Sequence, residues 1–189
     1  MQEEVNEMVS RKTTKELLGE SLHELSENKP IDKITVKEIV ENCGMSSATF
    51  YRHFHDKYEL IAWIYNYQME DIFLNFCRGT KTWRQAILDM VTILDNDRDF
   101  YINALKNTEG HNSISYLTHA KCLELLMGYI REKGCDLTDD EILFNVKFYL
   151  CGSSYSIADW CVNSLPWSTR EITDYLYNAM PEKLKTLLI

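Results

Sequence analysis

The chain has 189 residues, 45% of them hydrophobic and 26% charged, with a formal net charge of −9. That is enough apolar mass for a buried core and enough charge for a wetted surface, while the acidic balance excludes a partner drawn in by a broadly basic field. No run approaches the roughly 18 uninterrupted apolar residues of a membrane span, and MQEEVNEMV shows no basic start followed by an apolar stretch, so no membrane segment and no secretory signal are expected and the cytoplasm is the expected compartment.

Only three prolines and seven glycines punctuate the chain, which favours helices. Helix starts are read from capping boxes, a Ser/Thr/Asp cap followed three residues later by Glu. Four such pairs are read as helix starts, at Thr35 and Glu38, Asp56 and Glu59, Thr138 and Glu141, and Ser168 and Glu171. Each opens a segment with helical apolar spacing.

The first helix is expected over 5–27, with Leu18, Leu22 and Leu25 on one face. Pro30 follows its end. A short helix over 35–42 turns Val36, Ile39 and Val40 inward and stops at Gly44, as a glycine past a helix end does. A second short helix runs from Ser46 to His53, and Asp56 caps a long one to Phe76 carrying Ile61, Ile64, Tyr65 and Ile72. Further helices are expected over 81–94 (Trp83, Ile87, Met90, Val91, Leu94), 97–106 (Phe100, Ile102, Leu105) and 113–133 (Leu117, Ala120, Leu123, Met127, Ile130). Two more cover 138–162 and 168–188, separated by Pro166. About nine helices and no convincing strand make an all-α chain.

The two short helices with Cys43-Gly44-Met45 between them have helix-turn-helix spacing. Val36, Ile39, Val40, Met45, Phe50 and Phe54 supply a small core. The rest of the second helix is polar or aromatic: Ser46, Ser47, Thr49, Tyr51, Arg52 and His53. A helix so short is not stable alone, and an outward face of hydroxyls, guanidinium and imidazole suits a major groove. The charge is local rather than global. Residues 1–60 hold 8 Lys+Arg and 12 Asp+Glu, net −4. Arg11, Lys12 and Lys15 at the front of the first helix, with Lys33, Lys37, Arg52 and Lys57 beside the turn, form the expected patch, while Glu20, Glu24 and Glu27 face elsewhere. Screening over ~8–10 Å lets such a patch act despite remote acidic charge.

The stretch ITVKEIVENCGMSSATFYRHFHDKYELI resembles the DNA-binding segment of the tetracycline-repressor (TetR) family, and the likeness extends over about residues 9–76. It departs from the family pattern at Cys43, where a small alanine is usual, and at Ala48, where glycine is common. The resemblance implies a helix-turn-helix domain over 1–55 and a helical regulatory and dimerisation domain over 56–189. It implies a phosphate contact at Thr35 and at Lys57, with Lys37 beside them, and groove or backbone contacts from Ser46, Ser47, Thr49, Tyr51, Arg52 and His53. It also implies a homodimer on a palindromic operator in double-stranded DNA, through roughly 141–162 and 168–188. That segment suits the role: Ile142, Val146 and Tyr149 mark one apolar face, and Phe144, Phe148, Cys151 and Tyr155 another. Phe144, Phe148, Tyr155, Ile172 and Leu176 are the expected interface.

FYINALKNTEGHNSISYL and FNVKFYLCG more weakly resemble the branch of that family that includes the activator of the dihydroxyacetone kinase operon, which responds to a protein co-activator. The effector is thus a small molecule or a protein. A small-molecule pocket would draw on Trp63, Trp83, Tyr101, Tyr116 and Phe148, although aromatic residues at helical spacing are commonly plain core.

No nucleophile–base–orienter set or phosphate loop points to an enzyme. His111, His119 and the His53/His55 pair lack partners at metal-ligand spacing, so no metal and no cofactor are expected. The six cysteines contain no C-x-x-C and read as small core hydrophobes. The competing reading is a helical protein-interaction adaptor that binds a co-activator and little DNA.

Overall fold

The computed structural model describes residues 12–110, 113–134 and 139–189. Among them are ten α-helices, one 3₁₀ turn and no strand. In chain order they are α1 (Thr14–Ser26), the 3₁₀ turn Ile31–Lys33, α2 (Val36–Asn42), α3 (Ser47–Tyr51), α4 (Lys57–Cys77), α5 (Trp83–Asn96), α6 (Arg98–Lys106), α7 (Ile114–Glu132), α8 (Asp140–Val162), α9 (Thr169–Asn178) and α10 (Glu182–Leu188). The all-α expectation holds. The count exceeds nine because Pro181 divides the last expected segment, ending α9 and leading α10, as a residue without an N–H does at a helix boundary.

Reciprocal capping boxes form at Thr35/Glu38 and Ser168/Glu171 as expected, and also at Thr13/Glu16 and Thr82/Gln85. Asp56 caps α4 by accepting from Tyr58 N at 2.8 Å and Glu59 N at 2.9 Å. Its box is not reciprocal, because Glu59 Oε2 accepts from His55 N at 2.6 Å instead. Thr138 lies outside the described residues, and the side chain that caps α8 is that of Asp139.

One apolar cluster runs from Leu18, Leu22, Ile39, Phe50 and Phe54 through Leu60 and Ile61 to Tyr101, Trp160 and Ile172. A second joins Phe76, Leu126, Ile130, Val146 and Leu184. The packing of α1 on α4 is close at Gly19, where a Cβ would meet Ile64 Cγ1 at 3.3 Å. The reading of α7 was out of register at Ala120, which is exposed; Ile114, Thr118, Leu126 and Ile130 are the residues that α7 buries. Both expected faces of α8 exist, but only one is covered. Ile142, Val146 and Tyr149 are buried, whereas Phe144, Phe148, Cys151 and Tyr155 are exposed. Cys151 therefore departs from the reading of cysteines as core. Its Sγ lies 3.8 Å from His119 Nε2.

Side-chain bonds tie the helices across these clusters. Arg98, at the start of α6, donates to Trp160 O at 2.6 Å and lies over that indole at 4.5 Å. Arg84 of α5 pairs with Asp174 of α9. Asn103 of α6 accepts from Ile31 N at 3.0 Å and donates to Ser26 O at 2.9 Å and Lys29 O at 3.0 Å. That one amide therefore fastens α6 to the connection between α1 and α2. Beside it His23 of α1 meets Asp97 at 2.7 Å and stacks on Phe100.

Candidate nucleic-acid interface

The turn between α2 and α3 is set by Gly44, whose φ of +69° lies in the left-handed region where a Cβ is strained. Met45 N then returns to Val40 O at 2.7 Å. Ser46 caps α3, its Oγ accepting from Thr49 N at 3.1 Å. Five residues cannot hold a helix by backbone bonds alone. Phe50 supplies the anchor: it is fully buried, 5.5 Å from the Tyr51 ring and 5.8 Å from that of Phe54.

Anchoring one side presents the other. Ser46, Ser47 and Ala48 are exposed, Tyr51 is 59% exposed, and Arg52 is exposed with its Nη2 only 3.3 Å from the Thr49 hydroxyl. His53 is half-buried against Phe54. The structure thus gathers Ser46, Ser47, Thr49, Tyr51, Arg52 and His53 on or beside a single short helix.

Thr35 serves α2 as its cap. Its Oγ1 accepts from Glu38 N at 3.2 Å, and its N–H donates to Glu38 Oε2 at 2.9 Å. Glu38 also takes Lys29 Nζ at 2.6 Å. The Lys29 ammonium first, then the Thr35 donors, pull the Glu38 carboxyl down to a pKa of about 2.

Two expectations need correction. The basic patch is largely neutralised in the free chain: Lys12 pairs with Glu20 at 2.6 Å, Lys33 with Asp32 at 2.7 Å and Lys37 with Glu41 at 3.7 Å. Glu20 therefore does not face away from the patch. Such exposed pairs hold each other weakly, so a phosphate can displace the carboxylates. Arg52 and Lys15 have no carboxylate partner among the described residues. Lys15 lies instead over the Phe54 and Trp63 rings, 5.3 and 5.8 Å from their centroids. Arg11 lies outside the described residues.

Lys57 is the second correction. Its ammonium is not free for a phosphate, because it donates to Ile31 O at 2.9 Å, Asp32 O at 2.7 Å and Ile34 O at 2.7 Å. An ammonium has three donors, and all three are committed. Burial, the largest influence, lowers its pKa. Lys57 clamps the 3₁₀ turn to the start of α4. Sequence spacing could not reveal this, since the carbonyls lie 23 to 26 residues away along the chain.

Residues 20–64 match the family described as bacterial regulatory proteins of the tetR family, and residues 81–182 match its transcriptional regulator C-terminal region. The chain belongs to the TetR family of transcriptional regulators. Like its family it is a DNA-binding regulator, and α2 and α3 are its helix-turn-helix. It is 23% identical over 88 residues to the HTH-type dhaKLM operon transcriptional activator DhaS of Lactococcus lactis subsp. lactis. That match covers 47% of this chain and 46% of the relative, so the chain spans about half the length of the curated relative it matches. A solved structure of the dihydroxyacetone kinase operon activator DhaS superposes with a TM-score of 0.60 at 18% identity, over 93% of this chain and 98% of that one. At that identity the likeness is one of fold.

The C-terminal expectations scatter. Trp83 and Tyr101 line two adjoining apolar cavities that are partly open to solvent. Trp63 instead lines an open cleft against α1 and stacks on Tyr67. Tyr116 and Phe148 are more than half exposed and line neither cavity. Of the expected interface, Phe144, Phe148 and Tyr155 are 65%, 65% and 75% exposed. Ile172 and Leu176 are not surface at all: they are buried in the protomer's own core, on the side of α9 that packs against α5. Among the described residues no cluster of His, Cys, Asp and Glu could hold a metal, and no helix is long and apolar enough to cross a membrane.

Proposed function

We propose that the chain acts as a homodimer on a palindromic DNA operator, with one α3 entering each half-site. The observation that carries this is α3 itself, a five-residue helix whose Phe50 is wholly buried and whose remaining face is polar and open. Ser47, Tyr51 and Arg52 would reach base edges and phosphates, with Ser46, Thr49 and His53 beside them. Thr35 and Lys37 would bring the start of α2 to the backbone, where helix N–H groups favour anions. Lys57 acts by positioning the turn. Twofold symmetry would place the two half-sites about 34 Å apart.

The dimer surface is the exposed face of α8, reduced from the expected set to Phe144, Phe148 and Tyr155. The division at residues 55 and 56 serves as a working boundary, with α4 connecting the reading head to the regulatory helices. The effector is a small molecule held among α4, α5, α7 and α8, and the regulator works in the cytoplasm without turning over a substrate. Sequencing genomic fragments enriched by the purified full-length protein tests the reading. One enriched palindrome near the chain's own gene is expected; uniform recovery of fragments would overturn it.

A further inference from the structure

The reading head, α1 to α3, runs on into α4. Among the described residues, its hydrogen bonds to α5–α10 go to two side chains, Asp97 and Asn103. Asp97 takes the His23 imidazole of α1 at 2.7 Å. Asn103, in the middle of α6, holds more. Its Nδ2 donates to Ser26 O at 2.9 Å and Lys29 O at 3.0 Å, and its Oδ1 accepts from Ile31 N at 3.0 Å and from Asn107 Nδ2 at 2.8 Å. A side-chain amide offers two donors and two acceptor lone pairs. All four are used, so the group has a single orientation.

What this amide holds is the entry to α2. Ile31 is fully buried, and its main chain is gripped from two sides: its N–H by Asn103 of α6 and its carbonyl by the Lys57 ammonium of α4. Lys57 also takes the carbonyls of Asp32 and Ile34. Thr35 follows directly as the α2 cap, and α2 carries α3 through the Gly44 turn. The 3₁₀ turn is therefore a junction at which α4 and α6 together set where α2 begins.

We propose that Asn103 is a positioning residue for operator recognition: by holding the α1–α2 connection on α6, it fixes where α3 stands relative to the regulatory helices. The inference rests on the homodimer reading and adds a requirement to it. Two recognition helices enter half-sites about 34 Å apart only if each is held at a set distance from the twofold axis. A head loosened from α6 has to be ordered as it binds, and that ordering is drawn from the affinity. Scrambled DNA makes no such demand, because phosphate contacts need no set spacing between the two heads.

Asn103→Ala removes the four bonds together. The full-length variant and wild type are titrated by fluorescence anisotropy against three kinds of DNA: the enriched palindrome, the same palindrome with one base pair added or removed between its half-sites, and scrambled DNA. The variant should bind the original spacing about tenfold more weakly, bind scrambled DNA within about twofold of wild type, and discriminate less between spacings. Val91→Ala opens the buried core at α5 and leaves these bonds in place. It should lower the melting temperature and keep the spacing preference, which separates lost stability from lost placement. In ¹⁵N-labelled wild type, the Ile31 N–H and the Asn103 side-chain amide should exchange slowly with solvent, a readout that needs no variant. Unchanged operator affinity and spacing preference in Asn103→Ala would overturn the proposal. So would an equal fall on every DNA, or Ile31 and Asn103 amides that exchange as fast as exposed ones. If the wild type itself shows no spacing preference, the homodimer reading falls and this inference with it; if wild type and variant share one preference, only the role of Asn103 falls.

Discussion

The exposed faces of α3 and α8 are both left open by the protomer, but with opposite chemistry. On α3 the buried residue is a phenylalanine and the open ones are serines, a tyrosine and an arginine. On α8 the buried residues are Ile142, Val146 and Tyr149, and the open ones are again aromatic: Phe144 and Phe148, stacked at 5.9 Å, and Tyr155. A polar open face matches a partner that keeps its water, as a DNA groove does. An aromatic open face gains only by being desolvated against another apolar surface. On the proposed reading both open faces are partner surfaces, and their composition distinguishes the kind of partner each would suit.

The strongest way to break this comparison is Phe148→Glu. An unpaired carboxylate in a desolvated interface costs several kcal/mol (order of magnitude), whereas on a 65% exposed position of the protomer it costs the fold little. Light scattering should give the 22.2 kDa of a single chain for the variant and twice that for the wild type, with helical circular dichroism unchanged. A variant that still dimerises would remove α8 from the interface. Leu176→Ala supplies the contrast, since that residue is core: it should lower the unfolding free energy by about 2–5 kcal/mol.

Tyr51→Ala attacks the other face. The ring is 59% exposed and contributes little to the core, so thermal stability should stay within about 0.5 kcal/mol of wild type. Operator affinity should fall by about 1–3 kcal/mol, the scale of a lost groove contact. A gel shift against operator and scrambled DNA at two salt concentrations measures it. Equal loss on both DNAs would move Tyr51 from base reading to phosphate positioning.

The contrast also explains which features could be read from the sequence. Periodicity located the described helices, except that α9 and α10 were read as one, and both faces of α8, because alternation of buried and open positions is written locally. The turn motif was legible for the same reason: Gly44, Phe50 and Phe54 lie within eleven residues of one another. Which open face meets core and which meets solvent is not local. Ile172 and Leu176 look like interface by pattern, yet α5 covers them, and nothing within α9 announces α5. Lys57 was misread for the same kind of reason, its three carbonyl partners being brought near only by the fold.

Lys57→Met tests the corrected role and has a smaller expected effect. Methionine keeps most of the chain length and removes three donors from Ile31, Asp32 and Ile34 carbonyls. Leaving those groups poorly satisfied should cost about 1–3 kcal/mol of stability in urea. The slope of log affinity against log salt should stay unchanged, because a residue that does not touch phosphate releases no counterion. A slope reduced by about one unit would restore Lys57 to the backbone.

The smallest effect concerns the cap that aims α2, and pH isolates it. Glu38 has a folded pKa of about 2, below the ordinary carboxylate value near 4.5. Lys29 and the Thr35 donors hold the charged form in the folded state, and unfolding releases them. A folded pKa below the unfolded one means that the unfolded chain takes up the proton first as pH falls. The contribution is therefore fully present above the unfolded value and is lost as pH drops toward about 2. Glu38→Gln keeps the shape and a carbonyl acceptor but cannot ionise. Wild type should melt a few degrees above the variant at pH 7, with the gap constant down to about pH 5 and closing steadily below it. Glu16, Asp32, Asp139 and Glu171 have lowered pKa values as well, but they are common to both proteins and cancel in the difference. A gap that persists unchanged at pH 2.5 would show that packing, not the carboxylate charge, sets the cap. Operator affinity measured at pH 7 then tells whether the cap matters to reading as well as to stability: Glu38→Gln removes a negative charge beside the α2 N-terminus, so DNA binding should tighten slightly even as the free protein loosens.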